Sequence, residues 1–330
     1  MEQSILQALV VETGRILLEE GLVARTWGNV SCRLGEDSYL ITPSGMDYKR
    51  LMPQDIACCN LQTGKWEGPH KPSGERGAHA AAYACFPDVQ VVLHTHQTYA
   101  SALGLAGGRE LELTSEERAK LGGVAVAAYG LPGTKTLHNA IRRAMQTGAQ
   151  TILMAHHGAL ICGASQQQAL ERARLLERVC RRCWRGVCKE EPTLEEEKRQ
   201  SLLQKVRLTC PLAQTVTTKE LLTLAATGAP LSAQLDDMAQ MLGRQLPAVP
   251  CRADAAAEAV RKTGAALIPG VGAIVCGKDK DDTEALAILV QKAAVAALHA
   301  QALDIRAELS GLDDLLMHFV YTKKYARQKG

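Results

Sequence analysis

The chain lacks an excess of charge of either sign. Its 330 residues carry 38 lysines and arginines against 35 aspartates and glutamates, a formal net charge of +3, so no global field draws it to nucleic acid or an anionic membrane. It shows no uninterrupted apolar run of the roughly 18 residues that crossing a bilayer requires, and no membrane partner is expected. The opening stretch MEQSILQALVVETGRILLEEG has neither the basic n-region nor the continuous apolar h-region of an export signal. The eleven cysteines are therefore expected as reduced thiols in a cytoplasmic protein, not as a disulfide framework.

What is present is a globular composition, 46% apolar and 22% charged, in a length that at about 150 residues per domain suggests two domains. Residues 4–20 place Leu6, Leu9, Val10 and Leu17 at helical spacing and reach a stop near Gly21. GNVSCRL, SYLITPSG and DIACCNL then read as strands between turns. GERGAHAAAYACF favours a helix as far as Pro87, and VQVVLHTH the next strand. LHNAIRRAMQ reads as a helix, TILMAHHGALICG as a hairpin, and SQQQALERARLLERVCRRCWRGV as a long helix capped by Ser165. Interleaved strands and helices imply an α/β sheet covered by helices. The charged stretch KEEPTLEEEKRQSLLQ, a solvated helix or a linker, places the boundary between domains 1–205 and 206–330.

The later domain contains a concealed repeat. ILMAHHGALICG (152–163) aligns without gaps to ALIPGVGAIVCG (266–277), sharing Leu153 with Leu267, Gly158 with Gly272, Ala159 with Ala273, Cys162 with Cys276 and Gly163 with Gly277. An Ala- and Leu-rich helix follows each, as a partial duplication of the back half of the first domain predicts.

In VVLHTHQTYASAL, His94 and His96 interrupt an apolar strand. Residues i and i+2 of a strand share a face about 7 Å apart, so both imidazoles can aim at one point. Histidines and a carboxylate with one open position are the pattern of a catalytic metal. A third donor is available in HHG, residues 156–158; adjacent strand residues face opposite ways, so either His156 or His157 joins, and the residues alone do not choose. The later copy has Gly270 and Val271 there, so the hairpin does not need imidazoles to pack.

HKPSGERGAHAAAY, residues 70–83, opens a helix with free backbone N–H groups, an anion site. Ser73 suits its N-cap and Glu75 its positive first turn, while His79 is expected to pack or cap. TWGNVSCR and ITPSGMDY supply Asn29, Ser31, Thr42, Ser44 and Gly45 as small donors for a phosphate or hydroxyls. The CxxC spacing of Cys180 and Cys183, followed by Cys188, has no second pair and is not expected to bind metal.

Taken in order, Gly28-Asn29-Val30-Ser31, Thr42-Pro43-Ser44-Gly45, Pro72-Ser73-Gly74-Glu75, Pro87-Asp88, His94-Thr95-His96 and His157-Gly158 resemble the class II aldolase/adducin family over about residues 5–185. Residues 210–330 resemble the degenerate C-terminal segment of some larger members. The resemblance implies a three-layer α/β/α sandwich with a mostly antiparallel central sheet. It further implies zinc, with Mn²⁺ or Co²⁺ as substitutes, held by His94, His96 and His157, the histidine before glycine. Glu75 would be the catalytic carboxylate, and Asn29, Ser44, Gly45, Ser73 and Gly74 would hold a substrate phosphate.

The implied activity is retro-aldol cleavage of a small ketose phosphate through a metal-stabilised enediolate, in a homo-oligomer, dimer or tetramer. A 4-epimerase, a decarboxylase or dehydratase, and an adducin-like binding module are the alternatives. Two features depart from the pattern. Gly74 stands where the family usually has a second serine, and the proton-donating tyrosine has no counterpart in ELELTSEERAK, leaving Tyr129 or Glu116 as replacements. In the C-terminal YTKKYARQKG, otherwise a solvated tail, Tyr321 or Tyr325 could reach a neighbouring subunit's site.

Overall fold

Helix α1 (Gln3–Glu19) buries Leu6, Val10 and Leu17 along one stripe, and the chain leaves it through Gly21 at φ +67°, the left-handed exit that glycine takes without strain. In the computed structural model, which describes residues 2–307 and 309, α1 opens the first of two units, divided between Trp184 and Arg185. Tyr321 and Tyr325 lie outside the described residues.

The first unit continues with β1 (Asn29–Leu34), β2 (Ser38–Ile41), β3 (Ala57–Asn60), β4 (Trp66–Glu67), α2 (Arg76–Cys85), β5 (Val91–Thr95), α3 (Thr98–Leu105), α4 (Ser115–Lys120), β6 (Val124–Ala127), α5 (Lys135–Met145), β7 (Thr151–Met154), β8 (Gly158–Gly163) and α6 (Gln166–Cys183). Its eight strands form one sheet in the order β4-β3-β2-β1-β5-β8-β7-β6. Every pairing is antiparallel except β6 with β7. Alternation along β5 sends Leu93 into a core with Leu17 of α1, Leu103 of α3 and Leu176 of α6. Val92 goes to the other face, against Ala82 of α2 and Ile141 of α5. The result is the three-layer α/β/α sandwich with a mostly antiparallel sheet expected from the sequence.

The second unit holds α7 (Glu196–Arg207), β9 (Gln214–Val216), α8 (Lys219–Ala226), β10 (Leu231–Ser232), α9 (Asp236–Leu242), β11 (Gln245–Leu246), α10 (Ala253–Thr263), β12 (Ala265–Ile268), β13 (Gly272–Val275) and α11 (Lys280–Ala302). The division comes earlier than the expected boundary after residue 205. Leu202, Leu203 and Val206 of α7 are buried in a core with Val260 and Ile274, and this apolar stripe ties the charged segment to the second unit. Helix α11 is long and apolar enough to cross a membrane by length and composition, a point missed by looking for uninterrupted runs; 72% of its apolar window is buried inside the protein.

Considered separately, the two units share a strand register. Thr151 pairs with Ile161 and Leu153 with Ala159; Ala265 pairs with Val275 and Leu267 with Ala273, the positions that align by sequence. Leu153 also pairs in parallel with Val126, as Leu267 does with Ala248. Ser165 caps α6 through the Gln168 N–H, and Asp279 caps α11 through the Asp282 N–H.

Candidate active site

Strand pairing builds the site around the end of β5. His94 lies opposite Asn29 of β1 and Leu160 of β8, and His96 follows just beyond the strand. His157 comes from the β7–β8 turn, closed by a hydrogen bond from its N–H to the Met154 carbonyl. There His156 adopts φ +62°, so the HHG histidines are turn residues and not the alternating strand residues expected above. A side chain at Gly158 would force the backbone to shift, since a Cβ there would lie 2.2 Å from the Thr95 carbonyl oxygen.

Three ring nitrogens, one each from His94, His96 and His157, lie within 4.8 Å of one another. His94 and His157 are buried and His96 half-buried, which leaves the His96 side as the open one. The His94 and His157 rings stack with centroids 4.9 Å apart. His94 Nδ1 donates to the Ala159 carbonyl at 3.0 Å, which turns Nε2 toward the other two rings.

Glu75, the N-cap residue of α2, turns its carboxylate into this cluster. Its Oε1 lies 2.7 Å from His157 Nε2 and its Oε2 3.0 Å from His94 Nε2; His94 Nε2 is in turn 3.0 Å from His96 Nε2. Lone-pair atoms at these distances need a proton or a cation among them, so the donor set fits a divalent metal on the three imidazoles with Glu75 beside it. Burial alone would raise the Glu75 carboxyl, but the charges and hydrogen bonds of His94 and His157 outweigh it and hold the group well below the ordinary carboxylate range.

Asn29 Nδ2 donates to Glu75 Oε2 at 2.9 Å, while Asn29 Oδ1 accepts from His79 Nε2. His79 Nδ1 is 2.6 Å from Ser31 Oγ, and Ser31 Oγ is 2.7 Å from the Tyr83 hydroxyl. All four supporting side chains are buried. Burial presses the His79 imidazole down to about 3, with the charge of His94 adding to the effect and that of Glu75 opposing it.

The structure thus brings His94, His96, His157 and Glu75 together, and Asn29 joins them with its amide committed to Glu75 and His79. The other expected phosphate residues gather beside Glu75. Ser73 N–H donates to the Thr42 carbonyl and Ser44 N–H to the Lys71 carbonyl, zipping residues 42–45 to residues 71–74. Ser73 Oγ accepts from the Glu75 N–H, and Gly45 takes φ +74°. Gly74 is exposed, and a Cβ built on it meets nothing within 4 Å. Tyr129 sits with its ring centroid 5.1 Å from that of His156, one residue from His157. Glu116 instead forms an exposed pair with Lys120 on α4.

Sequence reasoning missed the roles of His79, Tyr83 and Trp27. Glu75, His79 and Tyr83 are spaced i, i+4 and i+8, the mark of one helix face, and that was the available signal. Trp27 is 8% exposed, with its ring centroid 6.4 Å from that of His96.

The fold and site define a three-layer α/β protein with a histidine–carboxylate centre at the end of a central strand. The class II aldolase and adducin N-terminal domain matches residues 8–184, and the chain belongs to this family. It is 33% identical over 201 residues to the 5-methylthioribulose-1-phosphate/5-deoxyribulose-1-phosphate aldolase of Rhodospirillum rubrum, covering 60% of this chain and 89% of the relative. To the 3-oxo-tetronate 4-phosphate decarboxylase of Haemophilus influenzae it is 29% identical over 174 residues, 51% of this chain and 82% of that one. A solved L-fuculose 1-phosphate aldolase superposes with a TM-score of 0.51 at 31% identity, over 55% of this chain and 85% of the other.

Proposed function

We propose that the chain is a metal-dependent aldolase that cleaves a small ketose phosphate, with zinc as the metal and His94, His96 and His157 as its ligands. The observation that carries this is the Glu75 carboxylate, touching two of the three ligand imidazoles with its two separate oxygens. A divalent ion there supplies Lewis acidity that stabilises oxyanion charge on the substrate. Glu75, held ionised, is placed to accept the proton of the hydroxyl that becomes the aldehyde carbonyl and to return it to the enediolate carbon after the carbon–carbon bond has broken. The turns 42–45 and 71–74 place the phosphate at the helix α2 N-terminus, the Ser44 and Ser73 N–H groups themselves being used to join the two turns. Tyr129 is the candidate hydrogen-bond partner of the aldehyde oxygen.

Decarboxylation is the second reading, favoured by the Haemophilus influenzae relative; both reactions leave negative charge next to a carbonyl and need the same stabilisation. A panel of sugar phosphates and 3-oxo acid phosphates, scored for aldehyde, epimer and carbon dioxide, separates the readings. Aldehyde release supports the aldolase, and carbon dioxide alone would replace it.

We also propose that the second unit is a partial repeat without a metal. The shared register supports this: Thr215 faces Ile274 as His94 faces Leu160, so Thr215, Thr217 and Val271 stand where the first unit has His94, His96 and His157. Metal analysis tests it, with about one equivalent per chain expected and two contradicting it.

A further inference from the structure

We propose that His79 and Tyr83 are positioning residues for Glu75, the far end of a hydrogen-bond chain whose donors all point toward that carboxylate. The inference rests on Glu75 being the proton-transfer group proposed above. Each link is forced by the one before it. Asn29 presents its nitrogen to Glu75 Oε2 and so its oxygen, which can only accept, to His79. His79 Nε2 must then carry a hydrogen. Held neutral by burial, the ring leaves Nδ1 bare, to accept from the Ser31 hydroxyl. Ser31 Oγ, having given its hydrogen, accepts from Tyr83. Reversing any link would put two acceptors or two hydrogens face to face.

The chain fixes which way the Asn29 amide faces and so aims one N–H at Glu75 Oε2, the oxygen that also meets His94. Hydrogen bonds in a buried series polarise one another in one sense. A carboxylate held by a directed donor keeps one orientation, whereas a rotating one would share its time between the imidazoles and the substrate. None of the three supporting groups, His79, Ser31 or Tyr83, is placed to touch substrate, since each is buried behind Asn29.

Two experiments test this. Nitrogen-15 NMR of His79 in metal-free protein, assigned by difference with His79→Gln, should show a neutral ring with hydrogen on Nε2; hydrogen on Nδ1 would overturn the chain whatever reaction the site performs. In metal-loaded full-length protein, His79→Phe should lower kcat about tenfold, the worth of one buried hydrogen bond, with KM and metal content unchanged. His79→Gln, which restores a donor near Nε2, should recover most of that loss. Tyr83→Phe should lower kcat in the same sense by less. In a Glu75→Gln background, His79→Phe should cost nothing further, because the residue acts through Glu75. Wild-type kcat in both His79→Phe and Tyr83→Phe, or a full loss added on top of Glu75→Gln, would overturn the proposal. If Glu75→Gln alone were fully active, the functional assignment would fall, and this role with it.

Discussion

Glu75 Oε1 lies 2.7 Å from His157 Nε2 across 82 residues of sequence, a contact that exists only because the α2 N-terminus and the β7–β8 turn meet at the end of β5. Glu75→Gln keeps the size of the side chain and removes its charge. Metal content should stay at the wild-type level, while kcat falls about 10²- to 10⁴-fold, the range for losing a positioned acid–base group. Steady-state kinetics beside elemental analysis checks this, and full activity would remove Glu75 from proton transfer.

Gly158 offers a way to disturb the metal site without touching a ligand. A methyl group there would meet the Thr95 carbonyl oxygen at 2.2 Å and His94 Cε1 at 3.4 Å, forcing β8 away from β5 between His94 and His157. Gly158→Ala should therefore lower metal affinity and cost about 1–3 kcal/mol of stability, as overpacking does. Metal titration and urea unfolding check it; an unchanged affinity would mean that the histidines are not held by this strand pair.

Gly74 is the converse case. Its backbone is not left-handed, and open space surrounds its missing Cβ, so neither strain nor crowding requires glycine. Gly74→Ser should leave stability within about 0.5 kcal/mol and lower KM for a phosphorylated substrate by supplying one more donor to the anion. An unchanged or raised KM would place the phosphate elsewhere.

His79 makes stability depend on pH. Its ring titrates near 6.5 when unfolded and at about 3 in the fold, because burial disfavours the charged form. Between those values the unfolded chain binds more protons, so stability rises with pH there and is lost as pH falls from about 6.5 toward 3. His79→Phe should remove up to about 1.4 kcal/mol per pH unit from that slope, read from urea midpoints of chelator-treated protein. Identical slopes would contradict a neutral buried His79.

Much of the site was legible because its chemistry breaks the local pattern. Two histidines in an apolar strand have no packing reason to be there, and Glu75 followed a turn that opens a helix. The choice between His156 and His157 was not legible from strand alternation, since the structure makes them turn residues. The left-handed position belongs to His156, as it does to Gly270 in the later hairpin, and only a three-dimensional turn could show that. His79 sits among alanines of helix α2, where a buried histidine reads as packing, and its partners Ser31 and Asn29 lie on strand β1. The domain boundary was placed late because charge dominates residues 189–204, while a few apolar residues of α7 decide where the segment folds.

The central claim is that His94, His96 and His157 form one metal site. Elemental analysis of protein purified without chelators tests it most directly. About one equivalent of transition metal per chain is predicted for the wild type, falling close to zero in His94→Ala. Less than about half an equivalent in the wild type, or unaltered metal in His94→Ala, would contradict the assignment.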